Sequence, residues 1–230
     1  MSGQEETAPE GMGEFFDRRL EGYETHQLSC IEGAEEFYPF TAEQLPRSPG
    51  TRILDLGCGT GLELDWYFRL SQDAEVTGID LAPGMLAALA AKFPDRRLRL
   101  RTGSYLEMPL ESGYYDAAVS VESFHHYSIG EKRSLYRKIF AALRPGGALV
   151  VTDYFAASKA QARAFRAERQ RLLEKAGLDE GALVHLDTPL TAEEELSTIA
   201  DAGFVSARIL RRWSATACIM AEKPRKEETS

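Results

Sequence analysis

The stretch Arg52-Ile-Leu-Asp-Leu-Gly-Cys-Gly-Thr-Gly61 decides the fold. Its first half is a short apolar run and its second half a glycine-rich turn, the form of a buried parallel strand emptying into the edge where open sheets bind ligands. The glycines at 57, 59 and 61 follow a G-x-G-x-G spacing, not the G-x-G-x-x-G of dinucleotide sites. Asp55 ends the strand directly before the loop, so its carboxylate faces whatever the glycines cradle. A diphosphate there would be repelled, because like charges ~4 Å apart cost about 4 kcal/mol at an effective dielectric near 20; an ammonium group would be attracted. The second anchor is Asp80, which closes the run Val76-Thr-Gly-Ile-Asp80 some 23 residues after Gly57. An acid at that offset can accept hydrogen bonds from both hydroxyls of a ribose. Together the two acids ask for a nucleoside with an amino-acid tail.

Outward from this unit, strand and helix alternate. Helical periodicity runs from Leu62 to Leu70, residues 74–79 read as a second strand, and Pro83 opens a helix carried to Phe93. A third strand alternates arginine with leucine from Arg97 to Arg101, as suits a sheet edge where charge discourages pairing with another chain. Tyr115 to Val121 is the fourth strand and Gly130 to Leu143 a helix; after an Arg144-Pro-Gly-Gly147 turn, Ala148 to Asp153 is the fifth strand. Such alternation builds a parallel sheet wrapped by helices through right-handed crossovers. It then stops. An amphipathic helix over 156–176 is followed by an irregular stretch to Pro189, and the capping box Thr191-Ala-Glu-Glu194 opens a helix that Gly203 closes. The runs Ser206–Trp213 and Ala215–Ala221 are separated by Ser214 alone, which demands a hairpin and an antiparallel strand at the sheet edge. Ahead of the sheet, Gly13 to Pro46 read as one or two helices that form a cap. The chain is therefore organised as one domain: a flexible tail (1–11), a helical cap (12–50), a ligand-binding core (51–155), a helical insertion (156–190), a final helix and hairpin (191–223) and a polar tail (224–230).

The 230 residues are 43% hydrophobic and 27% charged, a globular balance that excludes collagen-like, low-complexity and wholly disordered classes. The longest apolar runs, such as Met85 to Ala91, fall far short of the roughly 20 residues of a membrane span. The first ten residues are acidic and polar, unlike a signal peptide. Cys30, Cys58 and Cys218 are scattered without a close pair, which points to a reducing cytoplasm and away from metal or redox work. Most of the net charge of −9 lies in residues 1–40, where ten acids face Arg18 and Arg19; the remainder sums to −1. That body offers no broad electrostatic footprint for phosphate backbones, so nucleic acid is not expected as the main partner.

With these residues in hand, the chain resembles the class I S-adenosylmethionine-dependent methyltransferases over roughly residues 12–222. It looks most like the small-molecule branch that includes the ubiquinone and menaquinone enzymes. The likeness is carried by Phe15-Phe16-Asp17 with Tyr23, Ile53 to Gly61, Gly78-Ile-Asp80, Tyr115-Asp116 to His126, and Leu143-Arg-Pro-Gly-Gly147. S-adenosylmethionine is itself a nucleoside with an amino-acid tail. The resemblance implies an α/β, Rossmann-like three-layer sandwich with a mostly parallel seven-stranded sheet, one antiparallel edge strand and an N-terminal helical cap. It also implies a cofactor site in which Gly57, Cys58, Gly59 and Gly61 surround the methionine part and Asp55 meets its amino group. Asp80 would hold the ribose, Leu81 and Met85 the adenine faces, and Tyr105, Val121 and the backbone of Glu122 would complete the wall. The family often has Gly-Asp at the end of the third strand. Here Gly103-Ser104 stands instead, so Ser104 would meet the adenine amino group with a neutral hydroxyl.

Methyl transfer from a sulfonium is a displacement in which the donor is already activated, so proximity and orientation carry most of the catalysis and a general base is optional. His125 and His126 follow the fourth strand at its carboxyl edge and are the candidate catalytic residues, with at most one expected to face the pocket. Tyr23, His126, Asp153 and Tyr154 are candidates to line the acceptor pocket, built from the cap and the 156–190 insertion. His26 and His185 read as surface or packing residues, and Arg163, Arg166, Arg169 and Arg171 as a solvated helix face interrupted by acids. No Asp-Pro-Pro-Tyr or Pro-Cys sequence occurs, no tyrosine is followed four residues later by lysine, and no zinc spacing is present. The expectation is a small-molecule methyltransferase, monomer or homodimer, without a metal. Two alternatives stay open: a tRNA or RNA base methyltransferase, and a non-catalytic S-adenosylmethionine-binding regulator.

Overall fold

Strand β1 (Arg52–Leu56) is buried from Ile53 onward on both faces, which requires a strand on each side and helices above and below. The computed structural model describes residues 9–225, so most of the expected N-terminal tail and the last five residues lie outside them. Within that range the sheet has seven strands: β1, β2 (Glu75–Asp80), β3 (Arg97–Thr102), β4 (Tyr115–Val121), β5 (Leu143–Tyr154), β6 (Val205–Trp213) and β7 (Thr216–Glu222). Their spatial order is β3-β2-β1-β4-β5-β7-β6, with β3 through β5 mutually parallel. Chain order reverses between β1 and β4, so the glycine loop leaves the sheet at its switch point. Strand β7 runs antiparallel to both β5 and β6. The single reversed strand thus sits one place inside the rim, and β6 closes the edge.

Helices α1 (Met12–Arg18), α2 (Tyr23–Cys30) and α3 (Ala34–Glu43) form the cap, and α4 (Leu62–Leu70), α5 (Pro83–Lys92), α6 (Ile129–Ala142), α7 (Lys159–Ala176) and α8 (Ala192–Asp201) follow. One face of the sheet buries Phe37 of α3, Tyr67 of α4 and Leu89 of α5 against Ile53, Val76 and Val119. The other buries Leu135 and Ile139 of α6 and Ile199 of α8 against Leu54, Leu56 and Val151. These are the three layers expected. No helix among the described residues is long and apolar enough to cross a membrane.

Several boundaries differ from the sequence reading, each for a local reason. The cap is three helices, not one or two, because Gly22 and Gly33, both at φ +83°, interrupt an aromatic periodicity that continues across them. Residues 10–12 belong to no loose tail: Met12 N–H donates to the Leu183 carbonyl (3.0 Å) and His185 N–H to that of Glu10 (3.0 Å). The Arg144-Pro-Gly-Gly147 segment is a bulge within β5, whose pairing with β4 breaks between Tyr115↔Leu143 and Ala117↔Ala148. Asp116 fixes that bulge by accepting from the Arg52 N–H (2.7 Å) and pairing with Arg144. Helix α7 starts at Lys159 because Ser158 caps it, accepting from Gln161 N–H at 3.1 Å. The Thr191–Glu194 capping box opens α8 as expected.

A buried ion pair joins α6 to α8. Lys132 Nζ lies 2.7 Å from Glu195 Oε2, both side chains essentially without solvent exposure, and Tyr136 donates to the same carboxylate. Removing one partner leaves a desolvated charge alone, which costs about 3–5 kcal/mol. Lys132→Met should lower the unfolding free energy by that amount in denaturant titrations, and Lys132→Met with Glu195→Gln should recover most of it. A single Lys132→Met costing under ~1 kcal/mol would show that the pair is hydrated in solution.

Candidate active site

The glycine loop is shaped by close backbone approach. Gly57 has φ +74°, and a Cβ there would lie 2.1 Å from Ser123 Oγ on the segment leaving β4. Gly61 starts α4 with Leu89 and Leu64 at 3.2 and 3.3 Å from where a Cβ would be, so its role is helix packing. Asp80 ties the first two strand-to-helix turns together: one carboxylate oxygen accepts from the Gly59 N–H and the other from the Ala82 N–H, both at 2.9 Å. Burial pushes the Asp80 carboxyl up, partly offset by those amides. In the same turn, Asp17 of α1 accepts from the Gly84 N–H at 2.8 Å, which lays the cap across the start of α5.

Beneath the loop lies a feature the sequence did not announce. Asp55 and Glu63, in the first turn of α4, are both buried, and neither Asp55 oxygen has a hydrogen-bond donor among the described residues. Burial and then the adjacent Glu63 push the Asp55 carboxyl well above its ordinary range, and burial raises Glu63 as well. Two carboxyls can sit there by sharing a proton or by receiving a cation.

Two cavities flank the loop. The inner one, of about 40 Å³, is walled by Gly57, Gly59, Asp80, Leu81, Met85 and Tyr105, with Val121, Glu122, Phe16, Tyr23 and His126 among the rest of its lining. Four of the residues expected around a cofactor lie behind this wall. Asp55 and Gly61 are placed as above; the Cys58 thiol packs on Gly78 under the loop, and burial raises its pKa. Ser104 Oγ accepts from the Leu106 N–H (3.2 Å), capping its own turn. Tyr105, by contrast, reaches Ser123 Oγ at 2.8 Å. The outer cavity, of about 810 Å³, has aromatic walls from Phe15, Phe16, Tyr23, Tyr154 and Trp213. Phe16, Tyr23, Glu122 and His126 line both.

At the deep end of the outer cavity, charged and imidazole groups converge. A single 3-10 turn over Phe124–His126 buries both histidines. Contrary to the expectation that at most one would face the pocket, both line it, their rings 4.0 Å apart. His125 Nδ1 meets Asp153 Oδ1 at 2.6 Å. Burial would lower the His125 pKa, but Asp153 outweighs it and the imidazole is raised. Burial, then the His125 charge, pushes His126 down to about 4. Asp153 stands behind His125, off the cavity wall, and its carboxyl is lowered by His125 against the effect of burial. Glu122, in the left-handed region at φ +49°, is pushed up to about 8 by burial and then by Asp153. Two residues from the irregular stretch join them. His185, read from sequence as surface or packing, stacks on Phe15 (3.5 Å) and lines the cavity 4.8 Å from His126. Asp187, not foreseen at all, lies 3.1 Å from His126 Nδ1 and 3.8 Å from His125 Nε2.

Comparison with known proteins agrees with this geometry. A family profile described as a methyltransferase domain matches residues 53–147. Erythromycin 3''-O-methyltransferase of Saccharopolyspora erythraea is 28% identical over 127 residues, 53% of this chain and 40% of that protein. The curated relatives are matched over 24% to 61% of their own lengths. A Haemonchus contortus phosphoethanolamine N-methyltransferase 2 solved with S-adenosyl-L-methionine has the same fold (TM-score 0.68, 18% identity, 93% of this chain and 60% of that one). So does the [4+2]-cyclase SpnF (TM-score 0.71, 17% identity, 95% and 98%). Residues 53–147 thus match a methyltransferase domain, and the chain as a whole has the fold of S-adenosylmethionine-dependent methyltransferases.

The Asp55–Glu63 pair makes stability depend on pH. Both folded-state pKa values lie above the unfolded ones, so the stability they allow is full below about pH 4 and is lost as pH rises through the folded values. Glu63→Gln should therefore raise the melting temperature of the ligand-free protein at pH 8, by about 2–4 °C per kcal/mol of relieved burden, and change it less at pH 5. A variant melting below the parent at pH 8 would contradict the shared-proton arrangement.

Proposed function

We propose that the chain binds S-adenosylmethionine in the inner cavity and transfers its methyl group to a small-molecule acceptor held in the outer one. The observation that carries this reading is the common wall of Phe16, Tyr23, Glu122 and His126, which sets the two cavities side by side. The acceptors present suit such a cofactor. Asp55, beneath the loop and beside Glu63 with no backbone or basic donor among the described residues, would complement an ammonium group that displaced the proton of that pair, and each Asp80 oxygen, used once by a backbone amide, keeps a lone pair for a ribose hydroxyl. Leu81 and Met85 supply apolar faces for a flat base. When bound, S-adenosylmethionine supplies a methyl group on a sulfonium, already activated for displacement. The residues then bring the acceptor into line and exclude water, with His125 and His126 touching its nucleophilic atom.

About 40 Å³ is far below the roughly 300 Å³ of the smallest ordinary ligand pockets. Cofactor access therefore requires the cap to move. Helix α2 buries none of its residues and is bounded by Gly22 and Gly33, the features of a low-stability element. The aromatic outer cavity suits an acceptor with an apolar body and one polar end. A phosphate-backbone partner is less well served: on β3, Arg99 pairs with Glu75 (3.3 Å) and Arg101 donates to the Pro109 carbonyl (2.9 Å), while on α7 Arg169 is turned onto the carbonyls of Glu180 and Ala182.

S-adenosylhomocysteine at about 100 times its Kd should stabilise the protein by ~2.7 kcal/mol, raising the melting temperature by about 5–10 °C, whereas NAD should leave it unchanged. Asp80→Ala and Gly59→Ala should each abolish the shift. A flat curve for the parent protein, or an undiminished shift in Asp80→Ala, would refute the assignment.

A further inference from the structure

We propose that His125, His126 and Asp187 form a mononuclear site for a first-row divalent transition metal, with its free coordination positions open to the outer cavity. Of the three ligands only His126 also borders the inner cavity, whereas His125 and Asp187 line the outer one alone, so only the suggested role of the ion rests on the methyl-transfer reading.

Four observations converge. First, the three groups can each offer a donor atom within 4.8 Å of the others. His126 Nδ1 and His125 Nε2 stand 3.1 and 3.8 Å from Asp187 Oδ1. Donors bound at ~2.0–2.2 Å to one ion lie about 3–3.5 Å apart, so small side-chain shifts complete the set. Second, two of these atoms are otherwise idle. His126 is only 4% exposed, and its Nδ1 faces Asp187 Oδ1 at 3.1 Å, neither atom having another hydrogen-bond partner among the described residues. Third, the supporting contacts are those of a metal-bound imidazole. His125 donates Nδ1–H to Asp153 at 2.6 Å, which leaves the Nε2 lone pair toward Asp187, and Asp153 Oδ1 is itself held by the Tyr154 N–H at 2.9 Å. Fourth, the charge is unbalanced. The carboxylates of Asp153 and Asp187 flank the two histidines, their ion-pair partners are these imidazoles, and of the two rings only His125 is held toward its charged form, which leaves negative charge in excess. A divalent cation would neutralise that surplus.

Two imidazole nitrogens and one carboxylate favour Mn, Fe, Co, Ni or Zn over the oxygen-seeking Mg and Ca. Three protein ligands beside a cavity make the open arrangement of a catalytic ion. There the metal would take an oxygen of the acceptor and acidify it, which is what a hydroxyl acceptor needs before it can be methylated. No spacing in the sequence signals the site, since two ligands are chain neighbours and the third comes from the irregular stretch before Pro189.

The test uses the full chain, stripped with chelator and dialysed against Co²⁺. One equivalent should remain bound, with the visible d–d absorption of a low-symmetry site, and Zn²⁺ should displace it. Asp187→Ala and His126→Ala should reduce bound cobalt to background, and Asp153→Asn should weaken binding about 10–100-fold. Asp187 is partly exposed, so Asp187→Asn is the variant that decides if His126→Ala does not fold. No bound cobalt in the parent protein, or cobalt retained at one equivalent in folded Asp187→Ala and Asp187→Asn, would overturn the proposal. The melting shift with S-adenosylhomocysteine, measured on the same samples, should persist in the Asp187 variants. Its absence from the parent would defeat the cofactor reading and leave the metal result standing.

Discussion

The carboxylate of Asp80 is the joint on which the site depends. By accepting one amide from the glycine loop and one from the start of α5, it sets the spacing between the first two strand-to-helix turns at the switch point of the sheet. The cap is then positioned from the same corner, since Asp17 takes the next amide of α5 and brings Phe16 and Tyr23 over the loop. A buried carboxylate with two backbone donors is stable where an isolated one would not be, because hydrogen bonds replace much of the hydration it loses. Geometry at the inner cavity, closure by the cap and the wall shared with the outer cavity all follow from that one group.

Acid accumulates along the carboxyl edge of the sheet. Asp55 and Glu63 lie under the loop, Asp80 at its side, and Glu122, Asp153 and Asp187 at the outer cavity. Such a row is costly to bury, and its ionisation is distorted throughout. An edge of this kind favours positively charged occupants, among them an ammonium, a sulfonium or a metal ion, and disfavours diphosphate. The electrostatics thus restrict the ligand class more tightly than the fold does.

The fold itself leaves chemistry open. Domains of nearly the same architecture include a phosphoethanolamine N-methyltransferase and a [4+2]-cyclase, so activity belongs to the site rather than to the sheet. In this chain the outer cavity is built largely by elements outside the alternating core, among them the cap and the irregular stretch that delivers His185 and Asp187.

The sequence by itself determined the sheet and the loop, because both are written in local patterns: apolar runs such as Ile53–Leu56, a G-x-G-x-G turn, a proline that opens α5 and a capping box at Thr191. It also located Asp55, Asp80 and the two histidines at the carboxyl edge, since strand ends fix where such residues emerge. Only the tertiary structure decided which of them face a cavity. Cys58, Ser104 and Gly61 sit on the right loops but point into packing, and no one-dimensional pattern records the direction of a side chain in a turn. Tertiary contact alone brought Glu63 beneath Asp55 and Asp187 against His126: Glu63 is a charged residue on the buried side of a periodic helix, and the segment that supplies Asp187 carries no periodicity, so both positions are set by what they pack against.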